Sequence, residues 1–124
     1  MASDLKALLE MRRPTLEAIC AALQAEAERL AFPGGNPIQV ERGGAAYRLE
    51  KDPASGQPTL RGDWFTESGQ RNGTVVVHAD GTFFAEYDVV RPHPRNRRWF
   101  VEAVTAWGRD GVLKSEPRLL EAPS

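Results

Sequence analysis

The stretch Thr74-Val75-Val76-Val77-His78-Ala79-Asp80-Gly81-Thr82-Phe83-Phe84-Ala85-Glu86-Tyr87-Asp88-Val89-Val90 reads as two strands folded around an Asp-Gly turn. β-branched and aromatic residues suit a pleated, half-buried surface, and glycine supplies the positive φ of a tight hairpin. A second unit repeats the arrangement: residues 99–107, then Gly108-Arg109-Asp110-Gly111, then Val112-Leu113-Lys114. Toward the N-terminus, residues 38–42 and 45–51 flank Gly43-Gly44, a natural two-residue hairpin loop. Residues 59–66, with Trp64 and Phe65, fit a short strand or an ordered loop between the polar loops 52–58 and 68–73. Residues 99–107 satisfy two patterns. Alternation puts Trp99, Val101, Ala103, Thr105 and Trp107 on one strand face, whereas a helix capped by Asn96 gathers Trp99, Phe100, Ala103, Val104 and Trp107. The turn and apolar pair that follow favour the strand.

Residues 3–32 have a different period. Leu5, Leu8, Leu9, Leu16, Ile19, Cys20, Leu23, Ala27 and Leu30 recur at spacings of three and four, which gathers them into one helical stripe. Ser3 or Asp4 can cap the start. Pro14 removes one donor and crowds the Glu10 carbonyl, so a kink or break is expected near Arg12-Arg13. Pro33-Gly34-Gly35-Asn36-Pro37 ends the pattern. The fold expected is one α+β domain over residues 1–124: an N-terminal amphipathic helix, kinked at Pro14 or not, packed on one face of a curved antiparallel sheet built from hairpins over 37–120.

Composition narrows the function. A net charge of −1 over 124 residues argues against a protein that coats nucleic acid or membrane through its overall field. The single Cys20 rules out an intrachain disulfide, and its place on the helical stripe marks a packing residue. Met1-Ala2-Ser3-Asp4-Leu5-Lys6 lacks the basic-then-apolar pattern of a signal peptide, and no apolar run approaches the roughly 20 residues of a membrane span, so a cytoplasmic bacterial protein without membrane partners is expected.

Positive charge is densest between the hairpins, where Arg91, His93, Arg95, Arg97 and Arg98 lead into Trp99. Guanidinium forks suit phosphate or carboxylate, and an adjacent indole can stack on a base, so nucleic-acid binding through residues 91–99 is one reading. A solvated loop in an arginine-rich chain, with thirteen Arg against three Lys, is the plainer one. Candidate binding residues are therefore Arg91, His93, Arg95, Arg97, Arg98, Trp99 and Trp107. His78, Asp80, Asp88 and His93 match zinc chemistry in type but not in spacing, so no metal or cofactor is expected. No serine lies in a Gly-x-Ser-x-Gly setting and neither glycine pair forms a phosphate-cradling loop, so no catalytic residue is assigned. If chemistry exists, His78, Asp88 and His93 are the groups able to exchange protons near neutrality. Even so, about 30 Å of strand at ~3.3 Å per residue separates the two imidazoles.

One helix covers one sheet face, so some of Val76, Phe84, Val90, Trp99 or Trp107 should stay uncovered unless long arginine stems lie over them. That points to a non-catalytic binding protein with a protein partner or a second copy of itself. Asp80-Gly81-Thr82-Phe83, then Tyr87-Asp88 and an Arg- and Trp-containing segment ending at Gly108, resembles the C-terminal pattern of YezG-type bacterial immunity proteins over about the last third of the chain. The resemblance implies a non-catalytic protein that neutralises a toxin by binding it, with a helix after Tyr87-Asp88, and it locates no binding residues.

Overall fold

The computed structural model describes residues 2–30, 46–65, 68–109 and 111–122. They form one helix, α1 (Ala2–Leu30), and six strands: β1 (Ala46–Lys51), β2 (Pro58–Phe65), β3 (Arg71–Val77), β4 (Phe83–Pro92), β5 (Trp99–Arg109) and β6 (Val112–Glu121). The strands make a single sheet in chain order, β1-β2-β3-β4-β5-β6, and every neighbouring pair is antiparallel. The helix on one side of a hairpin-built sheet is the α+β layering that the two periodicities imply.

Residues 59–65 fall in β2, and 99–107 in a strand. β5 lies between β4 and β6, so both its faces need side chains, and alternation supplies them: Val104 and Ala106 on one side, Ala103 and Thr105 on the other, all buried. The helix that the immunity-protein resemblance implies after Tyr87-Asp88 is therefore not what this chain forms. The expected strand 38–42, its Gly43-Gly44 turn and the Pro33–Pro37 terminator lie outside the described residues. Edge strand β6 carries Lys114, Glu116, Pro117 and Arg118, residues that discourage pairing with a further strand.

α1 packs chiefly on β5 and β6. Ile19, Leu23, Ala27 and Leu30, at successive spacings of four, four and three, are at most 4% exposed. They join Leu60, Trp64, Val75, Val77, Ala85, Tyr87, Val104 and Ala106 in one core. Full burial of one such aliphatic side chain is worth roughly 1.5–3 kcal/mol. Cys20 is half-buried and packs beside this core, as does Tyr47, whose hydroxyl burial pushes up to about 12.

Pro14 does not break the helix, which runs unbroken from Ala2 to Leu30. Pro14 and Glu10 are both exposed, so the Glu10 carbonyl that loses its donor lies where water reaches it. The start is also earlier than expected: Asp4 sits inside the first turn, where its charge suits the helix dipole, rather than at the cap.

Polar contacts fix the helix at three points. Arg12 donates to the carbonyl oxygens of His78 and Ala79 in the β3–β4 turn, each at 3.3 Å. Glu26, only 3% exposed, accepts from Ser115 of β6 at 2.9 Å and from Arg29 at 2.5 Å. At the far end Arg95 donates to the Leu30 and Arg29 carbonyl oxygens at 3.2 and 2.9 Å. These carbonyls belong to the last described turn of α1, where no helical N–H among the described residues reaches them and a cation is favourable.

Two local features shape the sheet. Gly73 lets Trp64 and Tyr87 meet across β3, their ring centroids 5.9 Å apart; a Cβ there would stand 2.9 Å from both the Trp64 ring and the Glu86 carbonyl oxygen. The β4–β5 register shifts between Asp88 and Arg91, where Val90 holds a φ of 53°. For a β-branched residue that conformation costs about 1–3 kcal/mol.

Replacing Leu23 by Ala should lower the unfolding free energy by about 3 kcal/mol in urea titration, while Met11→Ala on the exposed side should leave it unchanged. Val90→Gly should raise the urea midpoint, by roughly 0.5–1 kcal/mol of stability, because glycine adopts positive φ without the steric cost.

Candidate functional site: the open face of the sheet

On the face away from α1 the strand registers align side chains into rows. In the first row Arg48 of β1, Arg61 of β2, Val76 of β3, Phe84 of β4, Trp107 of β5 and Lys114 of β6 stand successively opposite one another. An apolar centre is thus flanked by cations on both sides. Phe84 is 39% exposed, and Val76 and Trp107 are half-buried. The next row starts at Ala46 of β1 and is polar from there on: Asp63, Thr74, Glu86, Thr105 and Glu116. A third sets Asp88 opposite Ala103 and Ala103 opposite Arg118. No described element packs on this face.

Ion pairs organise the polar rows. Asp63, only 5% exposed, accepts from Arg48 at 2.6 Å, while Arg61 and Arg71 approach its other oxygen at 3.9 and 3.8 Å. Burial works to raise the Asp63 carboxyl; the hydrogen bond from Arg48, with the charges of Arg48 and Arg61, outweighs it and holds the group below the usual aspartate value. Asp63 Oδ1 and Arg61 Nε are buried without a hydrogen bond among the described residues. Across the sheet, Arg118 of β6 reaches Glu86 of β4 at 2.7 Å. To do so it must cross β5, where Ala103 presents only a methyl group. The crossing stem accounts for the burial of Ala103 and Thr105 on a face without a second layer. Asp88, beside this pair, is raised above the usual aspartate value by burial and then by the charge of Glu86.

The basic loop serves the fold more than the solvent. Arg95 closes the helix end, as described. His93 Nδ1 accepts the backbone N–H groups of Arg95 and Asn96, both at 3.1 Å, so the imidazole shapes the loop. Arg98 lies over the Trp99 ring at 5.1 Å and pairs with Glu121 at 3.5 Å. Arg91 pairs in register with Val101, and the exposed Arg97 makes no ion pair among the described residues. Of the candidate binding residues, Trp107 alone stands in the apolar row; Trp99 lies at the start of β5, beside the loop.

His78 and His93 belong to opposite ends of β4. His78 sits at a cleft of about 390 Å³ lined in part by Asp52, Ser55, Asp80 and Thr82. Its Nδ1 lies 3.7 Å from Asp52 Oδ2 and 3.5 Å from Thr59 Oγ1. Both neighbours face the same ring nitrogen, whereas a nucleophile–base–carboxylate chain needs one at each nitrogen. Asp52 and Asp80 each spend an oxygen on their own loops: Asp52 Oδ1 accepts from the Ala54 and Ser55 N–H groups at 2.8 and 3.3 Å, and Asp80 Oδ1 accepts from Thr82. Among the described residues no three His, Cys, Asp or Glu side chains are grouped to hold a metal ion.

Sequence reasoning missed Arg48, Arg61, Asp63, Arg71 and Arg118. The signal was present as charges two apart within strands, Arg48/Glu50, Arg61/Asp63 and Glu86/Asp88, which a period of two puts on a single face. No family model matches the chain, and neither does any curated protein or solved structure. Among the described residues, no helix is long and apolar enough to cross a membrane.

Because the folded Asp63 value is depressed, its stabilisation is present above the unfolded value of about 3.9 and lost as pH falls through the folded one. Thermal melts should show Asp63→Asn less stable than the parent by about 2 kcal/mol at pH 7, with the gap closing on acidification below about pH 4.

Proposed function

We propose that the protein is a non-catalytic binding module that engages a protein partner through the open face of its sheet. The observation that supports this reading is the Val76–Phe84–Trp107 row, an apolar strip between cations that no described element overlies. Trp and Arg side chains in such a setting are the types that anchor protein interfaces. The surrounding charges of both signs suit a partner of mixed charge, because complementary charges select partner and register. The cleft at His78 offers no comparable argument for catalysis.

Nucleic-acid binding through residues 91–99 has less support: Arg95 and Arg98 are engaged within the fold, and the open face interleaves acids with its cations. Toxin neutralisation is the form of binding that the YezG-type resemblance implies. The strand at 99–109, where that pattern would carry a helix, gives it less weight.

A photo-crosslinking residue at position 84, with position 11 on the helix as control, tests the reading in cells of the source organism. Protein adducts should form at least tenfold more at 84 than at 11, and nuclease treatment should leave them intact. Equal yields, or adducts that nuclease removes, would contradict it.

A further inference from the structure

We propose that residues 2–13 of α1 form a strap that opens as one unit about Pro14, with Arg12 as its latch, while residues 15–30 stay docked on the sheet. The strap lies on the helix side of the molecule and does not depend on what the open face binds. Burial divides the helix near the proline. Before Pro14 no described residue is buried: Leu5, Leu8 and Leu9 only half-bury against the margin of the core, and Met11 is 64% exposed. Beyond it, Ile19, Leu23, Glu26, Ala27 and Leu30 are all buried.

Pro14 is also where the helix parts most easily. It donates nothing to the Glu10 carbonyl, so the two halves share one backbone hydrogen bond fewer than an uninterrupted helix would give them. Among the described residues, the hydrogen bonds that tie residues 2–13 to the sheet come from Arg12, to the His78 and Ala79 carbonyl oxygens at 3.3 Å. The second half has its own ties through Ser115 and Arg95. Length agrees with this division. From Arg12 to Leu30 the helix rises roughly 27 Å at ~1.5 Å per residue, close to the roughly 30 Å of β4 beneath it. Residues 2–11 continue roughly 15 Å past the latch. A helix this short is marginal in water once undocked, so the freed strap unwinds rather than swinging as a rod. Opening uncovers the core margin under Leu5, Leu8 and Leu9 and releases an amphipathic segment at the end of the sheet marked by the β3–β4 turn.

Native-state hydrogen exchange of the full chain tests this. The amides of residues 6–13 should share one protection factor and one dependence on dilute urea, at least a hundredfold below the amides of residues 19–30. Those of residues 15–17, which donate to the carbonyls of residues 11–13, should open with the strap. Pro14→Ala restores the missing donor and should raise protection at 6–13 at least tenfold. Arg12→Ala should lower it at least threefold. Neither position is buried, so folding is not at stake, and neither change should alter residues 19–30. Protection that climbs smoothly, turn by turn, from residue 6 to residue 30 would mean fraying of a helix end and would overturn the strap. So would equal protection in both halves, or a strap whose exchange ignores Pro14→Ala.

Discussion

The docking of α1 sets the terms for everything else in the molecule. Its stripe of Ile19, Leu23, Ala27 and Leu30 buries one face of the sheet, and hydrogen bonds from Arg12 and Arg95 lock the helix to the β3–β4 turn and to the loop after β4. A helix with side chains is about 10 Å wide, against roughly 24 Å for six strands spaced ~4.8 Å apart. It therefore protects one layer of side chains and leaves the opposite layer to find its own partners.

That layer is covered from within by arginines. Arg118 crosses β5 to Glu86, and Arg48, Arg61 and Arg71 converge on Asp63. Long stems lie over the sheet while the guanidiniums find carboxylates, which shields Ala103, Thr105 and Asp63 without a second hydrophobic layer. Such pairs contribute modestly where exposed and more where buried, as at Asp63. The cover stops at the Val76–Phe84–Trp107 row, where no acid stands to draw an arginine across. The gap in the ion-pair network and the candidate interface are the same feature.

Much of the fold was legible in the sequence because each element carries its own period. Residues 74–90 alternate and turn at Asp80-Gly81, and residues 16–30 repeat at three and four; neither needs tertiary context. Residues 99–107 satisfied both periods, and only the place of β5 between two strands decides between them. Pro14 does not end the helix because the carbonyl it leaves without a donor is exposed to water, and a sequence does not state exposure. The site was less legible. Arginines clustered in sequence at 91–98 drew attention, yet in space Arg95 closes a helix end and His93 ties its own loop. The cations that matter on the open face, Arg48, Arg61, Arg71, Lys114 and Arg118, come from four different strands, and only the register assembles them.

Hydroxyl-radical footprinting of aromatic side chains at high dilution tests most directly whether the helix covers one face and leaves the other reachable. The account predicts that Phe84 and Trp107 are modified several-fold faster than Trp64 and Tyr87, which lie under the helix side of the same sheet. Phe84 and Trp107 protected as fully as Trp64 at every concentration would mean that a covered face had been taken for an open one, and the account would fail.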